Sequence, residues 1–267
     1  MTVRPPAVAG SFYPGQPSEL TRTVGQLLDE ARSSVEPAAG SPKALLLPHA
    51  GYVYSGPTAA LGYALLERAR PTVRRVVLLG PTHRVAVAGL ALPDADAFET
   101  PLGQVAVERV LPEALGLPQL LVSAAVHAHE HSLEVHVPFL QTVLDDPVLV
   151  PLAVGTVGAA EVADVLDALW GGPETVVVVS SDLSHYLPYD DAEAVDCATV
   201  DQVLRLDATL SHEQACGATP VNGLLVAARR RGMKPVLLGR CSSGDTAGDR
   251  RRVVGYAAIA FTEPTAA

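Results

Sequence analysis

Three apolar runs each lead into a histidine. Ala44 to Leu47 runs into Pro48-His49-Ala50-Gly51-Tyr52, and Val76 to Leu79 into Gly80-Pro81-Thr82-His83. Val176 to Val179 runs into Ser180-Ser181-Asp182-Leu183-Ser184-His185. Imidazoles ligate metals and exchange protons near neutral pH. One histidine after a strand is ordinarily a capping or hydrogen-bonding residue. Three after three buried strands point elsewhere, because open α/β sheets bind ligands outside the carboxyl ends of their strands. If the strands are parallel neighbours, His49, His83 and His185 converge on one crevice, the default place for a functional site.

A fourth group is Glu130-His131-Ser132-Leu133-Glu134-Val135-His136, preceded by His127 and His129. Its order is not His-Glu-x-x-His, so the zinc-protease helix motif is absent. On a helix, His131 and Glu134 would share one face. They could support another ligand, bind metal as a pair, or hydrogen-bond at the surface. His127 and His129 are expected in solvent, and His212 is read as structural. A fifth group runs from Cys241 through Ser243-Gly244-Asp245 to Gly248-Asp249 and forms a tight polar loop. Asp245 there is either a metal ligand or an Asx-turn residue. Phe12, Tyr13, Tyr52, Tyr54, Phe139, Tyr186 and Tyr189 lie in or beside these segments. They either pack in the core or wall a pocket around the polar cluster.

The elements that must position these groups read as α/β. Ser18 to Arg32 places Leu20, Val24, Leu27, Leu28 and Ala31 on one helical face, with Ser18 as N-cap. Pro57 to Arg68, Glu161 to Leu169 and Val221 to Arg231 are further helical patterns. Val148 to Val154, Val236 to Leu238 and Val253 to Phe261 are further strands, and the four valines at 176–179 fit a buried one. Apolar runs without polar alternation, separated by helices, predict a sheet covered on both faces. The expectation is one three-layer α/β domain over residues 1–267 with a mixed, mostly parallel sheet. Ser33 to Pro42 reads as a surface loop and Thr262 to Ala267 as a fraying tail.

Composition excludes other classes. The 267 residues carry a net charge of -10, which disfavours binding to phosphate backbones. No apolar run approaches the ~18 residues of a membrane span. The start, Met1-Thr2-Val3-Arg4-Pro5-Pro6, lacks the apolar core of a signal peptide. Cys197, Cys216 and Cys241 are too few and too far apart for a disulfide framework or a Cys-x-x-Cys zinc site. A cytoplasmic protein is expected.

Several segments resemble the MEMO family. They are Arg4-Pro5-Pro6-Ala7-Val8-Ala9-Gly10-Ser11-Phe12-Tyr13, Pro48-His49-Ala50-Gly51-Tyr52, Gly80-Pro81-Thr82-His83, Glu130-His131-Ser132-Leu133-Glu134 with Pro138-Phe139, and Ser180 to His185. Ser243-Gly244-Asp245 and Val254-Gly255-Tyr256 fit the same order. The prokaryotic branch is labelled protein B of the AmmeMemoRadiSam system, after its association with a radical-SAM protein. The resemblance implies a fold similar to class III extradiol ring-cleaving dioxygenases, which hold non-haem Fe(II) with two histidines and a carboxylate. It implies His49 and His83 as the histidine ligands. The vertebrate member uses a cysteine as third ligand in the late loop, and here the resemblance puts Asp245 at that position. Such a set favours Fe(II), with Cu or Zn as alternatives. His185, Asp182 and His131 would take acid–base or supporting roles. Two functional classes follow. One is a non-haem iron oxidoreductase acting on a small molecule. The other is a non-catalytic metal-binding or adaptor protein, or a partner in a radical-SAM modification pathway. Neither involves nucleic acid or a membrane.

Overall fold

A computed structural model describes residues 1–35 and 41–264. In chain order the elements begin β1 (Val3–Arg4), α1 (Pro17–Ser34), β2 (Ala44–Leu47), α2 (Tyr52–Leu66), β3 (Arg75–Pro81), β4 (Leu90–Leu92), β5 (Ala97–Thr100) and β6 (Gly103–Ala106). Next come α3 (Pro112–Leu115), β7 (Leu120–Val122), α4 (Ala124–Ala128), α5 (Val137–Val143), β8 (Val148–Val154), α6 (Ala159–Leu169) and β9 (Thr175–Ser180). The chain closes with β10 (His185–Leu187), α7 (Tyr189–Leu204), α8 (Ala218–Arg230), β11 (Lys234–Ser242) and β12 (Val253–Thr262).

The main sheet runs β10-β12-β2-β9-β3-β8-β4-β7, with β11 on the other edge of β12. Its centre, β2-β9-β3-β8, is parallel, while β12 joins β2 and β4 joins β8 antiparallel. The expected mixed, mostly parallel core is therefore present. Alternation along the strands builds two cores. Leu45, Leu47, Val76, Leu78, Val176 and Val178 pack with α1, α2 and α5 on one face. Leu46, Val77, Leu79, Val177 and Val179 pack with α6 and α8 on the other. Burying each such side chain is worth roughly 1.5–3 kcal/mol, so both faces hold the sheet in register. A second sheet, β1-β5-β6, lies outside this path.

Several boundaries differ from expectation, the helix starts and the long β11 (expected only over Val236–Leu238) among them. Helix α1 is capped by Gln16 rather than Ser18, because Pro17 occupies the first turn, where a missing N–H costs nothing. Helix α2 starts at Tyr52 and carries Pro57 inside it. The lost helical bond would have used the carbonyl of Val53, a residue 63% exposed and open to water. Helix α8 begins three residues early, at Ala218. Of the loop expected at Ser33–Pro42, Ser33 and Ser34 belong to α1 and residues 36–40 lie outside the described residues, as does the tail at 265–267. Among the described residues no helix is long and apolar enough to cross a membrane.

Candidate metal centre

The order β2-β9-β3 sets three carboxyl-terminal strand ends side by side. His49 follows β2, His83 follows β3, and Asp182 and His185 follow β9. All four line one pocket of about 590 Å³. His131 enters from the turn between α4 and α5 and lines it too. One ring nitrogen from each of His49, His83 and His131 lies within 4.8 Å of the other two. Their ring centroids are 5.2 Å (His49–His83), 5.5 Å (His49–His131) and 4.6 Å (His83–His131) apart.

Hydrogen bonds fix which nitrogen of His49 is free. Ser180 Oγ donates to Ser132 O at 2.6 Å, so its lone pairs must accept from both neighbouring imidazoles. Those are His49 Nδ1 at 2.6 Å and His136 Nε2 at 2.8 Å. His136 Nδ1 in turn accepts from Tyr63 Oη–H at 2.7 Å. The chain is consistent only if His49 carries its proton on Nδ1, leaving Nε2 as a bare acceptor. Such supporting bonds orient imidazoles for metals. Burial, then the surrounding imidazoles, hold His49 well below its ordinary pKa. Burial, then His83, lower His131 to about 4. Both are thus neutral at pH 7, the form that binds a cation.

Glu130 organises the other two histidines. Its buried carboxylate accepts from His83 N (2.5 Å), His83 Nδ1 (3.0 Å), His131 N (2.9 Å) and Ser132 N (3.0 Å). Burial raises its pKa, but the hydrogen bonds from His83 and Ser132 outweigh burial and bring it to about 2. His131 Nδ1 lies 3.3 Å from Glu130 Oε1 without hydrogen-bond geometry, a buried nitrogen left without a partner. Buried polar atoms rarely stay unsatisfied. Neutral imidazoles, an outer carboxylate and an orphaned nitrogen together fit a transition-metal cation.

The strand-end segment after β9 is pinned from both sides. Asp182 Oδ1 accepts from His49 N at 2.8 Å, and burial pushes its carboxyl up to about 6 against that hydrogen bond. Asp196 of α7 accepts from Ser184 N at 3.0 Å and sits against Gly255, where a Cβ would meet its Oδ2 at 1.8 Å. Leu183 N and Ser184 O bond Gly255 O and N at 2.8 and 2.9 Å. His185 donates Nδ1–H to Leu183 O at 2.8 Å, which leaves Nε2 as its acceptor in the pocket wall.

The whole chain has recognisable relatives. The family model described as Memo-like protein matches residues 4–260. The chain belongs to the Memo-like family. A MEMO1 family protein of Methanothermobacter thermautotrophicus is 38% identical over 96% of this chain and 99% of its own length. One from Aquifex aeolicus is 35% identical over 98% of this chain and 100% of its own. A solved structure of an uncharacterized protein from Escherichia coli K12 shares the fold, with a TM-score of 0.51 at 14% identity over 81% of this chain and 98% of that one.

In this Memo-like protein, His49 and His83 meet as the sequence implies, while Asp245 does not join them. Its carboxylate is used by its own loop and by Tyr189 of α7. Oδ2 accepts from Ser242 N and Oγ at 2.9 Å each, and Oδ1 accepts from Tyr189 Oη–H at 2.7 Å. It lines a different hollow, beside Cys241. The thiol that does touch the centre is Cys216, just before α8, with Sγ 3.3 Å from His49 Nε2. Burial, then the Asp182 carboxyl, push that thiol up to about 12, so it stays protonated and can donate to the bare nitrogen. His131, for which sequence left metal-binding, supporting and acid–base roles open, groups with His49 and His83.

The Glu130–His136 segment also departs from expectation. Only Glu134–His136 forms a helical turn, of the 3-10 type. Glu134 faces away from the pocket. It accepts from Arg4 Nη1 (2.5 Å), Ala7 N (2.7 Å), Val8 N (3.0 Å) and Tyr13 Oη (2.6 Å). This clamp holds the amino-terminal segment so that Phe12 packs 4.8 Å from the His131 ring. His127 is buried rather than solvated, bonded through Nε2 to Ala91 O at 2.7 Å, while His129 is exposed as expected. Sequence reading missed Glu130, Ser180, His136 and Cys216 as members of the centre. Ser180 stood in a strand-end motif, but Cys216 follows no apolar strand run, and its sequence neighbours His212 and Glu213 do not join the centre.

Proposed function

We propose that this protein binds one first-row transition-metal ion at His49, His83 and His131 and performs oxidoreductase chemistry on a small organic molecule in the adjoining pocket. The convergence of three ligand nitrogens within 4.8 Å carries the reading. Fe(II) is the ion the extradiol resemblance implies. The thiol of Cys216 beside His49 admits Cu or Zn as well, since sulfur donors favour softer ions. A bound iron or copper ion would supply Lewis acidity and one-electron redox capacity. The chain supplies the rest. Ser180 and Glu130 hold the imidazoles, Asp182 fixes the His49 backbone, and His185 Nε2 is placed to take a proton from a bound acid. Phe12 and Tyr54 exclude water from part of the wall.

Cys216 favours a second reading. Its thiol touches His49 but stands outside the three-imidazole group, so a thiolate drawn onto the ion would make a four-coordinate set, the arrangement of a structural or carrier site rather than an open catalytic one. In that form the protein would serve as a metal-binding partner, for instance in a radical-SAM modification pathway. Anaerobic titration with Fe(II), Cu(I) and Zn(II), followed by oxygen-uptake assays with catechols, separates the readings. Oxygen consumption by the iron- or copper-loaded protein supports the oxidoreductase. A metal-replete protein that consumes none supports the closed site.

A further inference from the structure

The wall of the histidine pocket carries a bulge. Strand β10 pairs with β12 through His185 and Leu187, with a register shift between them. Tyr186 sits in that shift at φ 59°, a left-handed backbone conformation that aromatic residues seldom adopt. Bulges re-aim side chains beside functional sites. Here the bulged tyrosine is 62% exposed and lies under a guanidinium, with Arg252 Cζ 5.1 Å from its ring centroid. Both residues line the pocket, together with the aromatic rings of Phe12, Tyr54 and Tyr256.

Arg252 is also unmatched in charge. Its neighbours Arg250 and Arg251 pair with Asp245 and Asp249. Among the described residues no carboxylate lies within salt-bridge distance of Arg252 itself. The chain has 29 acidic residues against 19 basic ones, so a partner was available in composition. Arg252 is the lysine or arginine that lines this pocket, and Asp182 is the acid that lines it. A guanidinium engages a carboxylate through two parallel hydrogen bonds. One guanidinium matches one negative charge. A dianion would be left with an excess charge facing Asp182.

We infer that Arg252, held on the bulged ring of Tyr186, selects a small planar monocarboxylate for this pocket. The inference rests on the histidine pocket being the working site proposed above. The ring of such a ligand would lie among Phe12, Tyr54 and Tyr186, with its carboxylate on Arg252 and its far end toward the histidines. The volume of about 590 Å³ admits a one-ring molecule with room left over.

Calorimetric titration of 4-hydroxybenzoate against its neutral counterpart 4-hydroxybenzamide tests this, in both metal-free and metal-loaded protein. The carboxylate should bind about tenfold or more tightly than the amide. Arg252→Gln should abolish that preference, weakening the carboxylate far more than the amide, and Arg252→Lys should retain part of it. Arg252 is exposed, so thermal melts of the variants should match the parent. Equal affinity for the two probes in the parent protein, or unchanged carboxylate affinity in Arg252→Gln, overturns the inference. Metal content is measured on the same samples. A protein that takes up no metal yet shows the Arg252-dependent preference overturns the metal reading and supports this one. A protein that takes up metal but shows no preference does the reverse.

Discussion

Substituting Glu130 with glutamine perturbs the centre without changing its shape. The carboxyl is 1% exposed, and its two oxygens receive four N–H groups from His83, His131 and Ser132. Its pKa stands at about 2 against an ordinary 4.5. A gap of that size favours the ionised form by about 3 kcal/mol. The folded value lies below the unfolded one. The stabilisation is therefore complete above about pH 4.5 and is lost as pH falls from there toward 2. Glutamine in either orientation replaces one accepting oxygen with an NH2 group, so a donor faces a donor. Urea unfolding of metal-free Glu130→Gln at pH 7 should show a loss of about 3 kcal/mol, narrowing below pH 4.5. Metal affinity should fall by roughly 10- to 100-fold, because the carboxylate that orients His83 Nδ1 has gone. A variant within about 0.5 kcal/mol of the parent, the ordinary range for a surface change, with unaltered metal affinity, would refute the role given to Glu130.

Other substitutions divide the site from its frame. Glu134→Gln leaves the Arg4 guanidinium buried without its counter-charge and should cost about 3–5 kcal/mol in urea unfolding. A cost under about 1 kcal/mol, typical of an exposed pair, would show that the clamp is solvated. Asp245→Asn should leave metal stoichiometry and affinity unchanged in an equilibrium titration; a large loss would return Asp245 to the ligand set. Cys216→Ala should weaken Cu(I) binding more than Fe(II) binding, and equal effects on both ions would remove the thiol from the centre.

The parallel core was legible because its strands are uninterrupted apolar runs. Ala44–Leu47 and Val148–Val154 keep their expected bounds, and the four valines became β9. Burial on both faces leaves little room for polar alternation, so such strands advertise themselves. Helix α7 was not legible. Tyr189–Leu204 contains four aspartates and one glutamate, and its buried positions include Asp196, satisfied by Ser184 N, and Thr199, whose hydroxyl donates to Val195 O one turn back. The short strands β4 to β7 offer too few residues to show a period. The site divides in the same way. His49, His83, Asp182 and His185 were visible because each follows a strand end, and topology brings strand ends together. Cys216 reaches His49 across 167 positions through the placement of α8, which no local spacing encodes. Asp245 misled because a capping carboxylate and a metal ligand look alike in sequence. One of its oxygens caps the turn that contains it and the other is taken by Tyr189 of α7.

X-ray absorption spectroscopy on the protein loaded with one equivalent of Fe(II) or Zn(II), compared with His49→Ala and His131→Ala, tests the three-histidine centre most directly. The parent spectrum should carry the multiple-scattering signature of three imidazoles, and each variant should lose one imidazole and bind more weakly. A metal that binds the parent with fewer than three imidazoles, or at full strength in either variant, would contradict the account.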